Sequence, residues 1–403
     1  MQTGSLHGRM YGHPEADRYN MDFLFEAENM LPEISEIRHT IHMNPELGNH
    51  EYKTSALVEA FLESCGIKTQ RLTETAVMGT LNFGRPGKTI AFRADMDALP
   101  VTEKTGCEFS SDVNGCMHAC GHDVHTSALL AAAKLLSLHK DELCGSVRFF
   151  FEPDEEGEGG AVRMINAGCM EGVSAVYGAH MDPALPLGTA GIRFGKFYAA
   201  SDMFDVTVKG KSAHGAAPEN GIDALLAAAK MTAALKELPK RFPEGAAVLS
   251  TGTFNSGTAR NIVADKAIFT GIIRTLGREA KEGMISALRQ SVSEISASFG
   301  TEAEVKICCT HNGIINTDKE TQTAKEAFLK IPGINVAEID KPLMTSEDFG
   351  YFIDAASAGS FYHIGAGSPH PLHSSEFLPP DEAIAVAAAA HTAVAYQELA
   401  VSK

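Results

Sequence analysis

The sequence from Gly115 to Thr126 concentrates side chains that bind transition metals. It reads Gly-Cys-Met-His-Ala-Cys-Gly-His-Asp-Val-His-Thr, so cysteines, histidines and an aspartate share one short segment. Thiolate, imidazole and carboxylate are the protein groups that hold such ions well. A helix-forming run with a predicted N-cap at Asp123 places Cys120 and His122 in a turn at a helix N-terminus, which favours a thiolate over a thiol.

Three interpretations of this segment stay open on its own residues. A redox-inert loop would merely tolerate the cysteines and histidines, which so dense a cluster disfavours. A closed structural zinc site would need a second Cys/His pair about 12 to 20 residues away, and none follows. An open catalytic site would instead be completed by residues distant in the sequence.

Acidic and histidine residues also follow three apolar segments that are predicted to be buried strands. Functional residues collect at the carboxyl ends of strands in open α/β sheets. Solvated turns and a solvated acidic loop are the alternatives, but buried strands would deliver these side chains to one sheet edge. The segments are 89–94 followed by Asp95 and Asp97, 146–151 followed by Glu152, Asp154, Glu155, Glu156 and Glu158, and 173–179 followed by His180.

Periodicity predicts an α/β fold that is interrupted by an α+β segment. Between about 200 and 309 the order strand, helix, strand, strand, helix, strand is typical of the ferredoxin-like motif. We therefore divide the chain into a flexible tail, a first part of the α/β domain, an inserted domain and a second α/β part. Their predicted bounds are 1–20, 21–194, 195–312 and 313–403.

Composition narrows the class of protein. The chain has 403 residues, a net charge of −17 and eight cysteines. The acidic balance argues against nucleic acid as a partner, and no apolar run is long enough to span a membrane. The first residues lack a basic-then-apolar signal pattern, and the cysteines are not spaced as a disulfide framework. We expect a cytoplasmic protein with reduced thiols.

Taken together, the motifs resemble the dinuclear metallohydrolases of the aminoacylase and carboxypeptidase G group, from about residue 30 to 400. Within it, they resemble the subfamily of hippurate hydrolases, N-acyl-amino-acid amidohydrolases and auxin-conjugate hydrolases. The resemblance implies a metallopeptidase-like three-layer catalytic domain and an inserted ferredoxin-like lid, at 195–312, through which the chain forms a homodimer or a dimer-based oligomer. The motifs are Arg38-His-x-x-His42-x-x-Pro45-Glu46, Arg93-Ala-Asp-Met-Asp-Ala-Leu-Pro, Met117-His-Ala-Cys-Gly-His-Asp, Glu155-Glu156-Gly, Lys211-Ser-Ala-His-Gly-Ala-Ala-Pro, Asn261-Ile-Val, Ile273-Arg-Thr, Ser346-Glu-Asp-Phe and Leu372-His373.

The resemblance also implies ligands for two divalent metal ions per subunit. Cys120 stands at the position that bridges the two ions in the subfamily. Zn is the first expectation because a thiolate is a soft ligand, while Mn, Co and Ni also suit the set. The implied ligands are Cys120, His122, Glu156, His180 and His373.

Further roles are carried over from the same motifs. Glu155 is implied as the general base that takes a proton from a metal-activated water and passes it to the leaving amine. His214 in the lid is implied to stabilise the oxyanion in a partner subunit's site, with a surface-loop histidine as the alternative. The remaining assignments are Asp97 as the acid that orients a ligand, Asn261 and Arg274 as substrate-binding residues, and Gly365 with Gly367 as the loop that lines the pocket.

The implied function is hydrolysis of the amide bond of a small N-acyl amino acid. A dipeptidase, or a biosynthetic deacetylase acting on a substrate such as N-acetyl-diaminopimelate, is the nearest alternative, and a non-catalytic binding protein or a structural zinc protein belongs to another class. The chain departs from the subfamily at Glu152 and Asp154, where Gln and Ala are common. From these extra charges we hypothesise a preference for cationic substrates.

Overall fold

A computed structural model describes residues 10–11, 22–157 and 159–401 of the chain. The predicted tail, residues 1–20, lies outside these ranges except for Met10–Tyr11, and Glu158 of the acidic segment also lies outside them. The helices are α1 (Phe23–Met43), α2 (Tyr52–Ser64), α3 (His122–Leu138), α4 (Gly160–Asn166), α5 (Ala224–Leu235), α6 (Arg278–Phe299), α7 (Asp318–Phe328), α8 (Gly350–Ala356) and α9 (Glu382–Leu399). The strands are β1 (Met10–Tyr11), β2 (Lys68–Arg71), β3 (Val77–Asn82), β4 (Thr89–Asp95), β5 (Ser146–Glu152), β6 (Val173–Asp182), β7 (Thr189–Ile192), β8 (Gly195–Tyr198), β9 (Ala200–Lys209), β10 (Ala247–Ser256), β11 (Lys266–Thr275), β12 (Glu302–His311), β13 (Ile314–Asn316), β14 (Asn335–Glu338) and β15 (Gly359–Gly365).

The chain divides into two compact units. The first comprises residues 1–195, 315–341 and 348–403, and the second comprises residues 196–314 and 342–347. The assignment of the second unit as a lid and dimerisation domain stays a prediction. Within the described ranges, no helix combines the length and the hydropathy that crossing a membrane requires.

The first unit is built on a nine-stranded mixed sheet in the order β1-β14-β7-β15-β6-β4-β5-β3-β2. Its central strands β15, β6, β4 and β5 are mutually parallel, and antiparallel strands flank them. Parallel strands need crossover helices, which cover both faces of such a sheet and leave its carboxyl-end edge open. The central strands therefore end at one common edge.

Alternate residues of β5 show the two covered faces. Phe149 and Phe151 are buried in the core that α3 and α9 share with the sheet. Phe150 points to the opposite face, where its ring stacks on Phe352 of α8 at 5.5 Å between centroids. Helices on both sides of one sheet give the three layers of the predicted catalytic domain.

The second unit is a four-stranded antiparallel sheet in the order β10-β11-β9-β12. Helices α5 and α6 pack on one face of it, and Phe204, Phe269, Met231 and Leu288 are buried between the layers. This order of strands and helices is the predicted ferredoxin-like α+β motif.

Candidate metal centre

The carboxyl ends of the parallel strands bring the predicted site residues together. Strand β4 ends two residues before Asp97, β5 ends three residues before Glu155, and β6 contains His180 near its end. His180 is paired in register with His363 on β15, so the neighbouring strand also ends at this edge. Because these strands are parallel and end at the same edge of the sheet, the side chains that follow them lie close together.

The N-terminus of α3 adds the cysteine and a histidine to this edge. Gly121 is the N-cap residue and has φ 88°, a left-handed conformation that glycine adopts without a Cβ clash. It separates Cys120 from His122, the first helical residue. The predicted N-cap at Asp123 is wrong, because Asp123 lies inside the helix with its side chain buried.

The thiol of Cys120 lies at the centre of the candidate ligands. Its Sγ is 3.4 Å from His180 Nε2 and 3.3 Å from His373 Nε2. His373 Nε2 is 2.9 Å from Glu156 Oε1. Cys120 thus belongs to two compact groups of donor atoms, one with His122 and His180 and one with Glu156 and His373. A shared donor between two groups has the arrangement that a bridging ligand requires.

His122 is oriented by Asp97. Its Nδ1 lies 3.1 Å from Asp97 Oδ1, while Asp97 Oδ2 accepts a hydrogen bond of 3.1 Å from the Glu156 backbone N–H. The remaining nitrogen, His122 Nε2, is buried, lies 3.7 Å from Asp95 Oδ2 and has no hydrogen-bond partner among the described residues. A carboxylate on one ring nitrogen and an open second nitrogen are the features of a metal-ligating histidine. The buried His122 nitrogen without a hydrogen bond therefore indicates that these residues can hold a metal ion.

The electrostatics of the site favour a cation. Burial raises the pKa of the Cys120 thiol well above its usual range, and the nearby Glu156 and Glu155 carboxylates raise it further. The expectation that the helix start favours a thiolate is therefore wrong for the protein without metal. Although burial lowers the pKa of His122, Asp95 and Asp97 raise it to about 10. A bound metal would deprotonate the thiol and replace the imidazole proton.

Glu155 lies beside these donors and is itself buried. Glu155 is 5% exposed, and its carboxylate lies in one compact group with His122 and Glu156. The residue before it, Asp154, has φ 60°, which turns the chain sharply between the end of β5 and Glu155. The base predicted from the motif thus lies at the edge of the donor cluster.

The extra acids of this loop accept hydrogen bonds from neighbouring side chains inside the protein. Glu152 Oε2 accepts a hydrogen bond from Arg93 Nε. Asp154 Oδ2 accepts hydrogen bonds from Asn49 Nδ2 at 2.8 Å and Arg163 Nη2 at 2.9 Å. Both carboxylates are therefore held by neighbouring side chains, and the preference for a cationic or amine-bearing substrate stays a prediction.

A buried ionic network behind the strand ends was not assigned a role from the sequence. Arg93 also donates to Asp95 Oδ2 at 2.6 Å and to Asp348 Oδ1 at 3.1 Å, and Asp95 Oδ1 is 2.6 Å from His125 Nδ1. All these side chains are buried. The motifs around Arg93 and Asp348 carried the signal, but only the structure shows that the two residues are partners.

The predicted substrate-binding residues lie in both units of the chain. Gly365 ends β15, where a Cβ would stand 1.9 Å from the Pro186 carbonyl oxygen, so only glycine fits. His214, Asn261 and Arg274 belong to the second unit. His214 is exposed and its backbone pairs with Ile262, next to Asn261.

Arg274 retains an unused donor. It lies on β11, and its Nη1 is buried without a hydrogen-bond partner in the described part of the chain. A planar guanidinium with a free edge suits a carboxylate, because its fork matches two oxygens.

Comparison with known proteins places this geometry in a family. The family described as Peptidase family M20/M25/M40 matches residues 91–397. The chain belongs to this family. It is 37% identical to thermostable carboxypeptidase 2 of Saccharolobus solfataricus, over 93% of this chain and 98% of the relative. It is 36% identical to an N-acetyl-L-cysteine deacetylase of Bacillus subtilis, over 86% and 84%.

A solved structure agrees with this assignment. A Bacillus subtilis protein described as a dinuclear metal binding peptidase of family M20 superposes with a TM-score of 0.82. It is 32% identical and covers 91% of this chain and 98% of its own. The predicted family, the α/β fold with its inserted domain and the class of enzyme, a hydrolase of linear amides, are confirmed for this M20 protein.

Proposed function

We propose that this M20 hydrolase removes the acyl group from a small N-acyl amino acid. The observation that carries the proposal is the juxtaposition of a buried carboxylate, Glu155, with a donor cluster centred on Cys120. Relatives named as an N-acetyl-L-cysteine deacetylase and as an IAA-amino acid hydrolase of Arabidopsis thaliana support the substrate class.

The donor set supports two divalent ions in each subunit, and the thiolate makes Zn the first choice over Mn, Co or Ni. When bound, such ions supply Lewis-acid polarisation of the scissile carbonyl and lower the pKa of water. Cys120 is proposed to be the shared ligand. The other proposed ligands are His122, Glu156, His180 and His373.

The protein's own groups then perform the proton transfers. Glu155 accepts the proton of the attacking water and donates it to the nitrogen of the leaving amino acid, which prevents re-formation of the amide. Asp97 holds His122 and the Glu156 backbone in place during this exchange. Gly365 keeps the end of β15 free of a side chain beside Pro186.

The second unit is proposed to recognise the substrate. The unused Nη1 of Arg274 supports binding of the substrate carboxylate, with Asn261 as a further hydrogen-bonding group. His214 is proposed to stabilise the oxyanion in the active site of a second subunit. Its exposed position supports a role outside its own fold.

We further propose that the protein is a cytoplasmic homodimer that associates through the second unit. Strand β10 is an edge of its sheet, with Val248 at 42% and Phe254 at 40% exposure. An exposed edge strand with apolar side chains is a surface suited to pairing with another chain. All eight cysteines are free thiols, which supports a reducing compartment.

Dipeptide hydrolysis is the second candidate. It is favoured by the similarity to thermostable carboxypeptidase 2, whose name denotes action on peptide bonds. The same base and metal donors would cleave either amide, so the substrate panel must include both kinds.

The test is a substrate panel with a variant of the base. We expect release of free amino acid from N-acetyl or N-benzoyl amino acids, and restoration of activity when chelated protein receives Zn, Mn, Co or Ni. Glu155→Gln should retain its metal content and lose about 10² to 10⁴-fold in kcat, because it removes the proton acceptor without removing a ligand.

Two matched measurements make this test decisive. Cys120→Ala should instead lose metal, which plasma mass spectrometry would record. Exposed Glu171→Gln serves as a control that should hydrolyse like the wild type. A fully active Glu155→Gln enzyme would refute the proposed base, and cleavage of dipeptides alone would replace the deacylase by the peptidase.

A further inference from the structure

A second cluster of metal-binding side chains lies in the first unit, outside the proposed active site. His42, near the end of α1, meets Glu103 and Cys107 from the segment between β4 and α3. One imidazole nitrogen, one carboxylate oxygen and one sulfur lie within 4.8 Å of one another. None of these three residues has a role in the proposed hydrolysis.

The distances within this cluster are close to those expected around a metal. His42 Nε2 is 3.2 Å from Glu103 Oε1, and Cys107 Sγ is 3.9 Å from the same oxygen. Ligand atoms about 2.0 to 2.3 Å from a tetrahedral zinc ion lie about 3.2 to 3.8 Å apart. The donor pairs of the proposed active site, at 2.9 to 3.4 Å, are spaced in a similar way.

The surrounding contacts orient these donors. His42 Nδ1 lies 2.9 Å from Asp123 Oδ2, and Arg38 Nε donates to the same oxygen at 2.9 Å. A carboxylate on Nδ1 directs Nε2 towards a metal, as in metal sites generally. Glu103 Oε2 accepts a hydrogen bond of 2.6 Å from the Ser111 backbone N–H, while Oε1 faces His42 and accepts a hydrogen bond from Thr105 Oγ1.

Unlike a group of acidic residues on the protein surface, this cluster is largely buried. The His42 and Glu103 side chains are 1% and 5% exposed. Cys107 is half-buried, so an ion has a route from solvent. Thr105 Oγ1 and Ser110 Oγ lie 3.5 and 3.4 Å from Cys107 Sγ and make the open side of the cluster polar.

The protonation of His42 opposes metal binding at this cluster. Burial lowers the pKa of His42, but Asp123 and Glu103 raise it to about 9, so the imidazole is protonated at neutral pH. A cation must displace this proton, which weakens binding. A thiolate, a carboxylate and an imidazole favour a soft divalent ion over Mg²⁺ or Ca²⁺.

We propose that His42 Nε2, Glu103 Oε1 and Cys107 Sγ form a third metal site, which takes a thiophilic divalent cation such as Zn²⁺ or Cd²⁺. A water would complete the tetrahedron on the polar side. The site is independent of the proposed hydrolysis, because it shares no ligand with the Cys120 cluster.

The test counts metal ions in the whole protein loaded with its catalytic metal. Equilibrium dialysis against Cd²⁺, with all metals summed by plasma mass spectrometry, should find one more ion per chain in the wild type than in Cys107→Ser. The difference in Cd²⁺–thiolate absorption between the wild type and Cys107→Ser should saturate when one such ion is bound per chain. Loss of Cys107 should weaken its binding by more than about tenfold.

Controls keep the outcome decisive. Cys144→Ser removes another half-buried thiol, whose Sγ donates to the Leu399 carbonyl at 3.2 Å, and should retain the extra ion. Cys107→Ala replaces Cys107→Ser if serine perturbs the loop. Equal metal content in wild type and both Cys107 variants would overturn the site. An inactive enzyme that still binds the Cys107-dependent ion would refute the proposed function but would not contradict the third metal site.

Discussion

The imidazole of His42 is held between two carboxylates, and its charge should make folding stability depend on pH. Asp123 and Glu103 flank the ring, Arg38 neutralises part of Asp123, and the pKa of His42 is raised to about 9. An unfolded histidine titrates near 6.5. Between these values the native state binds more protons than the unfolded state, so stability decreases as pH rises.

We expect the free energy of unfolding to be highest below about pH 6.5 and to decrease by up to about 3 kcal/mol as pH rises through about 9. Urea unfolding from pH 6 to 10, without added metal, would measure this. His42→Gln should be less stable at pH 6 and should lose this part of the slope. An identical slope in the variant would show that other groups titrate.

At the same scale, the buried ions around Arg93 are mutually dependent. Asp95, Glu152 and Asp348 share one guanidinium, and Asp348 Oδ2 also accepts the Ala161 N–H at 3.1 Å. Removal of the Asp348 carboxylate leaves a guanidinium N–H and the Ala161 N–H buried without their acceptor, which costs about 1 to 3 kcal/mol for each donor. We expect Asp348→Ala to lower the free energy of unfolding by this amount, as measured by denaturant titration. Exposed Asp141→Ala is the control, and a variant of unchanged stability would contradict the network.

At the scale of the element, the loop after β5 is clamped before it delivers Glu155. Glu51, the N-cap residue of α2, accepts the Asp154 backbone N–H at 2.9 Å. A Cβ at Gly48 or Gly157 would stand about 2 Å from Asp154 Oδ1, so glycine is required on both sides of that carboxylate. The loop therefore depends on a residue that contributes no ligand.

Asp154→Ala tests this clamp, and it installs the residue that is common in the subfamily. We expect kcat to decrease about tenfold with KM and metal content retained, because Glu155 loses its fixed position while the ligands remain. Steady-state kinetics with metal analysis would measure both. A change in KM alone would place Asp154 in substrate binding. Asp141→Ala again provides the surface control.

At the scale of the whole molecule, the metal centre and the hydrophobic cores are separate. The core of the first unit lies between the sheet and its helices, whereas the donor atoms lie beyond the strand ends. We expect chelation to abolish amide hydrolysis while the far-ultraviolet circular dichroism is retained. Melting curves should stay cooperative and shift by a few degrees. Complete unfolding on chelation would identify the metals as structural.

The proposed dimer gives a prediction at the same scale. Phe254→Lys places a charge on edge strand β10 and should shift the protein from dimer to monomer in light scattering. The control is Phe25→Lys, which changes a side chain of 60% exposure in the first unit and should leave association intact. A wild type that is monomeric at all concentrations would refute the dimer, and with it the proposed role of His214.

The sequence by itself determined the type of fold and the candidate ligands. Periodicity located the strands β4, β5 and β6, the helix α3 and the order of strands and helices in the inserted domain, since these patterns depend on near neighbours. Shorter elements such as β2, β7, β14 and α8 were not predicted, because a few residues carry too little periodicity. The motifs then related Cys120 and Glu155 to metal-dependent amide hydrolysis.

Only the tertiary structure decided which charges face one another. Arg93 and Asp348 are 255 residues apart, and Arg38 and Asp123 are 85 apart, so no local pattern reveals these partners. The Asp123 side chain pairs with buried Arg38 and His42 rather than capping α3, and Asp154 accepts hydrogen bonds from Asn49 and Arg163. The physical reason is that a buried charge requires a partner, and the partner's position depends on how distant elements pack.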